Sequence, residues 1–247
     1  MKNRWLICPQ PNSSATAHLF LFPYAGGAPS SFNKWASEFP NYIEVNTVHY
    51  PGRGSRYNES PIKELSVLVE EIKNAIQPEL DKPFFFFGHS LGAVLAFEVA
   101  RRINPQPQIL FVSACGAPHV PNPNAPIHNL PDSEFIKSLQ ELNGLPAEVS
   151  NNAELMELLL PTLRADFEAI ENYKYVSREH RLDCPVIAFG GENDFHVDHA
   201  RLDAWEHHTN GSFKSKIFPG DHFFINTARR LVIDSMLTEM RSYHAKK

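Results

Sequence analysis

Residues 84–92, Phe84-Phe85-Phe86-Phe87-Gly88-His89-Ser90-Leu91-Gly92, constrain the fold more than any other stretch of the chain. Four consecutive phenylalanines after Pro83 read as a strand buried on both faces, and Leu91 to Ile103 reads as a helix that begins at once. The Gly-x-Ser-x-Gly string between them leaves no room for an ordinary loop. A strand that turns so sharply into a helix needs glycine on each side of the turn, and the turn lifts the central serine towards solvent. Without its flanks the string is common, and a tight turn with an inert serine is the alternative reading. The strand before it and the helix after it are the context that a nucleophile elbow requires.

The rest of the chain repeats the same alternation. Six apolar runs, at 18–22, 44–48, 83–87, 109–113, 185–189 and 214–218, read as strands, most of them buried on both faces. Leu65 to Ile76 places Leu65, Leu68, Val69, Ile72 and Ile76 at helical spacing. This pattern predicts an α/β fold, a mostly parallel central sheet flanked by helices. About 70 residues separate Ser113 from Val186, far more than a plain crossover needs. The excess opens with a proline-rich loop, Ala117 to Pro123, and continues with helical patterns at Asp132 to Leu142 and Asn152 to Tyr173. We therefore expect one domain over residues 1–247, with a helical lid inserted at about 116–176. A helical decoration without a gating role fits the same pattern.

Composition closes off several classes. With 247 residues and 43% apolar side chains the chain can build one sizeable core. Its 23 basic and 28 acidic residues give a net charge of -5, no basis for a nucleic-acid partner. The apolar residues after Met1 are interrupted at Pro9 and Pro11, so no signal peptide is read there. No apolar run reaches the length of a membrane span, and a soluble, cytoplasmic protein is expected. Cys8, Cys115 and Cys184 lie far apart without a Cys-x-x-Cys pair, and are expected to be inert thiols in a reducing compartment.

A serine hydroxyl attacks only when an imidazole takes its proton and a carboxylate orients that imidazole. In the order expected for this elbow, Ser, acid, His, the base falls on His222 in Phe218-Pro219-Gly220-Asp221-His222-Phe223-Phe224, just past the last predicted strand. The acid falls on Asp194, which follows the strand at 185–189 through Gly190-Gly191-Glu192-Asn193. Glu192, Asp198 and Asp221 are its rivals. The oxyanion donors are expected at the N–H groups of Leu91, at the helix N-terminus, and of Ala25, in Tyr24-Ala25-Gly26-Gly27. His89, inside the motif, is expected to be packed rather than catalytic. Asp194-Phe195-His196-Val197-Asp198-His199 also looks like the ligand run of metallo-β-lactamase-type hydrolases, with His199, Asp203 and Trp205 on an ordinary solvated helix as the competing reading.

Along nearly its whole length the chain resembles the stand-alone type II thioesterases of non-ribosomal peptide and polyketide synthesis. The resemblance is carried by Phe22-Pro23-Tyr24-Ala25-Gly26-Gly27, Pro51-Gly52-Arg53, Gly88-His89-Ser90-Leu91-Gly92, Leu130-Pro131-Asp132, Leu163-Arg164-Ala165-Asp166-Phe167, Gly190-Gly191 with Asp194, and His222-Phe223-Phe224. It implies an α/β-hydrolase fold, a Ser90–His222–Asp194 triad, oxyanion amides at Ala25 and Leu91, and no metal or cofactor. The implied activity is hydrolysis of acyl or aminoacyl thioesters on the phosphopantetheine arm of carrier proteins, which removes misprimed groups. A general carboxylesterase or lipase, a medium-chain acyl-carrier-protein thioesterase and an inactive carrier-binding module are the other readings. The expected partner is an acidic carrier protein, bound transiently by a monomer, with Lys34, Arg53 and Arg56 as a candidate docking surface. Ordinary surface charge or structural pairing is the alternative for those three.

Overall fold

The computed structural model describes residues 3–142, 149, 152–177 and 180–244. Its core is a seven-stranded sheet made of β1 (Leu6–Ile7), β2 (Ala17–Phe22), β3 (Ile43–Val48), β4 (Phe84–His89), β5 (Leu110–Ser113), β6 (Val186–Gly191) and β7 (Phe213–Phe218). The spatial order is β1-β3-β2-β4-β5-β6-β7. Every pairing is parallel except that of β1 with β3. The six expected strands are all present. β1 is a seventh, missed because two residues are too short for a periodic signal.

The phenylalanine run explains the layering. Phe84 and Phe86 face the core shared with α1 (Leu65–Ile76) and α2 (Leu91–Ala100), together with Phe20, Phe22, Leu110, Val112 and Val186. Phe85 and Phe87 face the opposite core, against Trp35 and the Val232, Ile233 and Met236 side chains of α7 (Arg229–His244). Alternate residues of one strand thus enter two cores, which is why the run is continuously apolar. α2 is buried on every side, all ten residues of it, and ends three residues before the predicted Ile103. The sheet edges are blunted, one by the shortness of β1 and the other by Lys214 and Lys216 of β7.

The chain leaves β3 at one side of β2 and re-enters as β4 on the other, so the strand order reverses between β2 and β4. Loops at the carboxyl ends of those two strands meet at that switch point, where open α/β sheets bind ligands. Phe22 pairs with Gly88, so the loop after β2 runs beside the turn after β4. This is the α/β-hydrolase arrangement.

Between β5 and β6 lie α3 (Asp132–Glu141) and α4 (Ala153–Glu171), close to the two helical patterns predicted there. Asn152 caps α4 by accepting the Leu155 N–H at 3.1 Å. Phe135 and Leu139 of α3 and Leu163 of α4 form a small core of their own. Two carboxylates pin this segment: Glu171 accepts the N–H groups of Ile127 and His128, and Asp132 pairs with Arg164 at 2.5 Å. Two short α-helices follow β6 and β7, α5 (His199–Asp203) and α6 (Phe224–Thr227). Among the described residues no helix is long and apolar enough to cross a membrane.

Candidate active site

The turn after β4 is built by close backbone approach. A Cβ on Gly88 would lie 2.1 Å from the carbonyl oxygen of Gly92, and one on Gly92 would lie 2.0 Å from that of Phe22. Neither position admits a side chain, so α2 starts hard against β2 and β4. Ser90 takes up the reversal with φ 54° and ψ -118°, a strained conformation for a residue with a Cβ. Its N–H donates to the Ser113 carbonyl at 2.8 Å, which fixes the turn to β5. Leu91 is the first residue of α2, where backbone N–H groups have no acceptor within the helix.

His222 and Asp194 come from the loops after β7 and β6. His222 Nδ1 and Asp194 Oδ2 are 2.8 Å apart, with the Asp194 carboxyl fully buried. Asp194 Oδ1 accepts the His196 N–H at 3.0 Å, so both carboxylate oxygens are engaged. Burial pushes the Asp194 pKa up, but the hydrogen bond and charge of His222 and the His196 N–H outweigh it and leave the carboxyl below its ordinary value. Of the rivals, Asp198 caps α5 by accepting the Arg201 N–H, Asp221 accepts the Phe223 N–H, and Glu192 is exposed.

Ser90, His222, Ala25 and Leu91 line one cavity of about 310 Å³. The insertion supplies apolar lining from Leu139, Leu142, Leu163, Phe167 and Ile170, interspersed with polar Ser138, Glu141 and Glu171. Around His222 stand the rings of Phe223, His89 and His196, with centroids 5.2, 5.4 and 6.3 Å away. His89 is fully buried, with Nδ1 2.9 Å from Ser113 Oγ. Burial, then the neighbouring His222, hold its pKa well below the ordinary value, so a neutral imidazole backs the candidate base. His89 is thus packed, as expected from the turn.

A thioesterase domain model matches residues 17–239, which spans every group just described. The chain belongs to the thioesterase domain family. It is similar to the gramicidin S biosynthesis protein GrsT of Aneurinibacillus migulanus, 42% identical over 249 residues that cover 99% of this chain and 97% of that one. Among solved structures, the type II thioesterase BorB from the borrelidin biosynthetic cluster superposes with a TM-score of 0.88 at 31% identity, covering 95% of this chain and 96% of that one. RedJ, a thioesterase from the prodiginine pathway of Streptomyces coelicolor, gives 0.86 at 36% identity over 94% and 90% of the two chains.

Two sequence expectations need correction within this family site. Arg53 and Arg56 are not a docking surface: both are buried, Arg53 paired with Asp166 and Arg56 with Glu59. Of the three candidate cations only Lys34 is exposed. Trp205, placed with His199 and Asp203 on a solvated helix, is fully buried and donates Nε1–H to the Cys115 carbonyl at 2.7 Å. The segment from Asp194 to His199 splays apart, with Asp194 turned to His222 and Phe195 exposed. Cys115 lines the cavity, but burial, only partly offset by Arg201, pushes its thiol up to about 12. Burial likewise raises Cys8 to about 11 and Cys184 to about 12. A protonated thiol is a poor nucleophile.

Proposed function

We propose that this chain is a type II thioesterase that releases acyl or aminoacyl groups from the phosphopantetheine arm of carrier proteins by a Ser90–His222–Asp194 triad. The observation that carries the reading is the Asp194–His222 hydrogen bond set beside a strained serine elbow in one cavity, within a thioesterase-family chain. No metal or cofactor is invoked. The 116–176 segment acts as a lid over the acyl group, and the partner is an acidic carrier protein met transiently in the cytoplasm.

His222 Nε2 takes the Ser90 hydroxyl proton as Oγ attacks the thioester carbonyl, and Asp194 holds the imidazole through Nδ1–H and stabilises its charged form. The oxyanion is held by the N–H groups of Leu91 and Ala25. The carbon–sulfur bond breaks, and the leaving thiolate takes the proton from His222. Water then gives its proton to the same nitrogen as it attacks the acyl-serine ester, the carbon–Oγ bond breaks, and His222 returns that proton to Ser90 Oγ as the carboxylic acid is freed. The mechanism requires Ser90 Oγ and His222 Nε2 to come within hydrogen-bond reach when substrate binds.

The same chemistry cleaves an oxygen ester, so the test compares substrates. Wild type and Ser90→Ala are assayed on acetyl-loaded carrier protein and on the p-nitrophenyl ester of the same acyl group. The reading requires that wild type prefer the carrier thioester and that folded Ser90→Ala turn over neither. Cleavage of the free ester alone makes the protein a general esterase, and an active Ser90→Ala variant removes the triad.

A further inference from the structure

We infer that Asp166, clamped by Arg53, is the positioning residue of the oxyanion loop, so that helix α4 and the oxyanion hole move as one unit. The inference rests on the assignment of Ala25 as an oxyanion donor. Asp166 lies in α4 and is 1% exposed. Its Oδ2 accepts the Gly26 N–H at 2.7 Å and Arg53 Nη1 at 2.7 Å, while Oδ1 accepts Arg53 Nη2 at 2.7 Å. Arg53 reaches the other end of the same turn, donating from Nη1 to the Gly27 carbonyl at 3.2 Å, and is itself held at Pro51.

Fixing the Gly26 N–H fixes the peptide plane between Ala25 and Gly26. That commits the Gly26 donor to Asp166, and leaves the Ala25 N–H, one peptide earlier, as the group free to meet a substrate oxygen. The same face of α4 adds two further contacts. Leu163 packs so closely that its Cδ2 would lie 2.5 Å from a Cβ on Gly26, whose φ of 75° already suits glycine. Thr162 donates to the Gly52 carbonyl at 2.8 Å, beside Arg53. Thr162, Leu163 and Asp166, within one turn of α4, therefore hold both loops.

A buried carboxylate that takes a backbone N–H and a bidentate guanidinium makes directional, charge-assisted bonds, which set a loop's angle as apolar packing cannot. Lifting α4 breaks all three and frees Gly26 to rotate. Hydrolysis is therefore available only with α4 seated.

The test uses the full chain and acetyl-loaded carrier protein, with active sites counted by complete fluorophosphonate labelling. Arg53→Met/Asp166→Leu removes the clamp without stranding a buried charge. It should lower kcat about 100-fold, the scale of a misplaced oxyanion donor, with KM for the carrier little changed. The Ki of a trifluoromethyl ketone analogue, whose adduct carries the oxyanion, should weaken by the same factor. A merely structural clamp would lower Tm and leave kcat per labelled site and Ki unmoved, which overturns the inference, as does a fall in kcat with unchanged Ki. If the double variant does not fold, Arg53→Lys, which keeps the charge but loses one of the two bonds, should show a smaller fall in kcat with a parallel rise in Ki; no change in either overturns the inference. An active Ser90→Ala enzyme would instead bring down the triad assignment, so the two failures are distinct.

Discussion

Gly92→Ala is the sharpest perturbation of the elbow, because what it meets is backbone. The new Cβ would sit 2.0 Å from the Phe22 carbonyl oxygen and 2.7 Å from that of Pro23, where real Cβ atoms essentially never come within 3.0 Å. Since 3.0 − 2.0 = 1.0, the start of α2 must retreat from β2 by at least about 1 Å. β2 cannot yield instead, for it is paired on both sides, with β3 and β4. Ser90 and Leu91 are the two residues before Gly92, so the proposed nucleophile and oxyanion donor travel with the helix. A displacement of about 1 Å costs on the order of 100-fold in rate, and the overpacking costs about 1–3 kcal/mol of stability. Gly190→Ala is the comparator: its Cβ would lie 2.9 Å from Ile217 Cδ1 and 3.0 Å from Leu202 Cδ2, both ends of flexible side chains. The assay is kcat on acyl-carrier substrate, with folding checked by circular dichroism and the urea midpoint. A folded Gly92→Ala enzyme within threefold of wild type, or a Gly190→Ala enzyme equally impaired, refutes the argument.

Two further outcomes follow from the site and from the buried imidazoles. Asp194→Asn keeps the shape but lets His222 adopt the wrong tautomer, so kcat should fall about 10³- to 10⁴-fold with KM for the carrier nearly unchanged; a fall under tenfold would return the acid role to a rival. Stability should decrease as pH drops from 7.5 to 5. Burial and the neighbouring His119 lower the His208 pKa to about 3, and burial lowers His89 as well, while the unfolded imidazoles titrate near 6.5. The unfolded chain then binds protons that the native state refuses, so the contribution is complete above 6.5 and drains away below it. Asp194, depressed from 3.8, acts only at still lower pH. The urea midpoint across this range measures the effect, His208→Phe should flatten its slope, and a pH-independent midpoint would contradict it.

What the sequence disclosed and what it hid divide along the range of the interactions. The elbow was legible because its demands are local: a strand, two glycines and a helix within ten residues leave one backbone solution, and the φ of Ser90 is that solution. The pairing of Asp194 with His222 could be proposed because each follows a strand in a fixed order, although the 2.8 Å bond between them joins residues 28 apart. The partner of Arg53 was hidden for the opposite reason. A cation beside Pro51-Gly52 carries no mark of burial, and its partner lies 113 residues away in the inserted segment. The triplet Arg164-Ala165-Asp166 stood out as a motif but had no assignable role, because nothing near it in sequence needs a carboxylate. The need arises only when α4 lands on the loop after β2, and there the Gly26 N–H and the Arg53 guanidinium claim the same carboxylate. An insertion that supplies the anchor of a loop in the parent fold is not a decoration on that fold. Shortening or repacking it should therefore affect the chemical step as well as the choice of acyl chain.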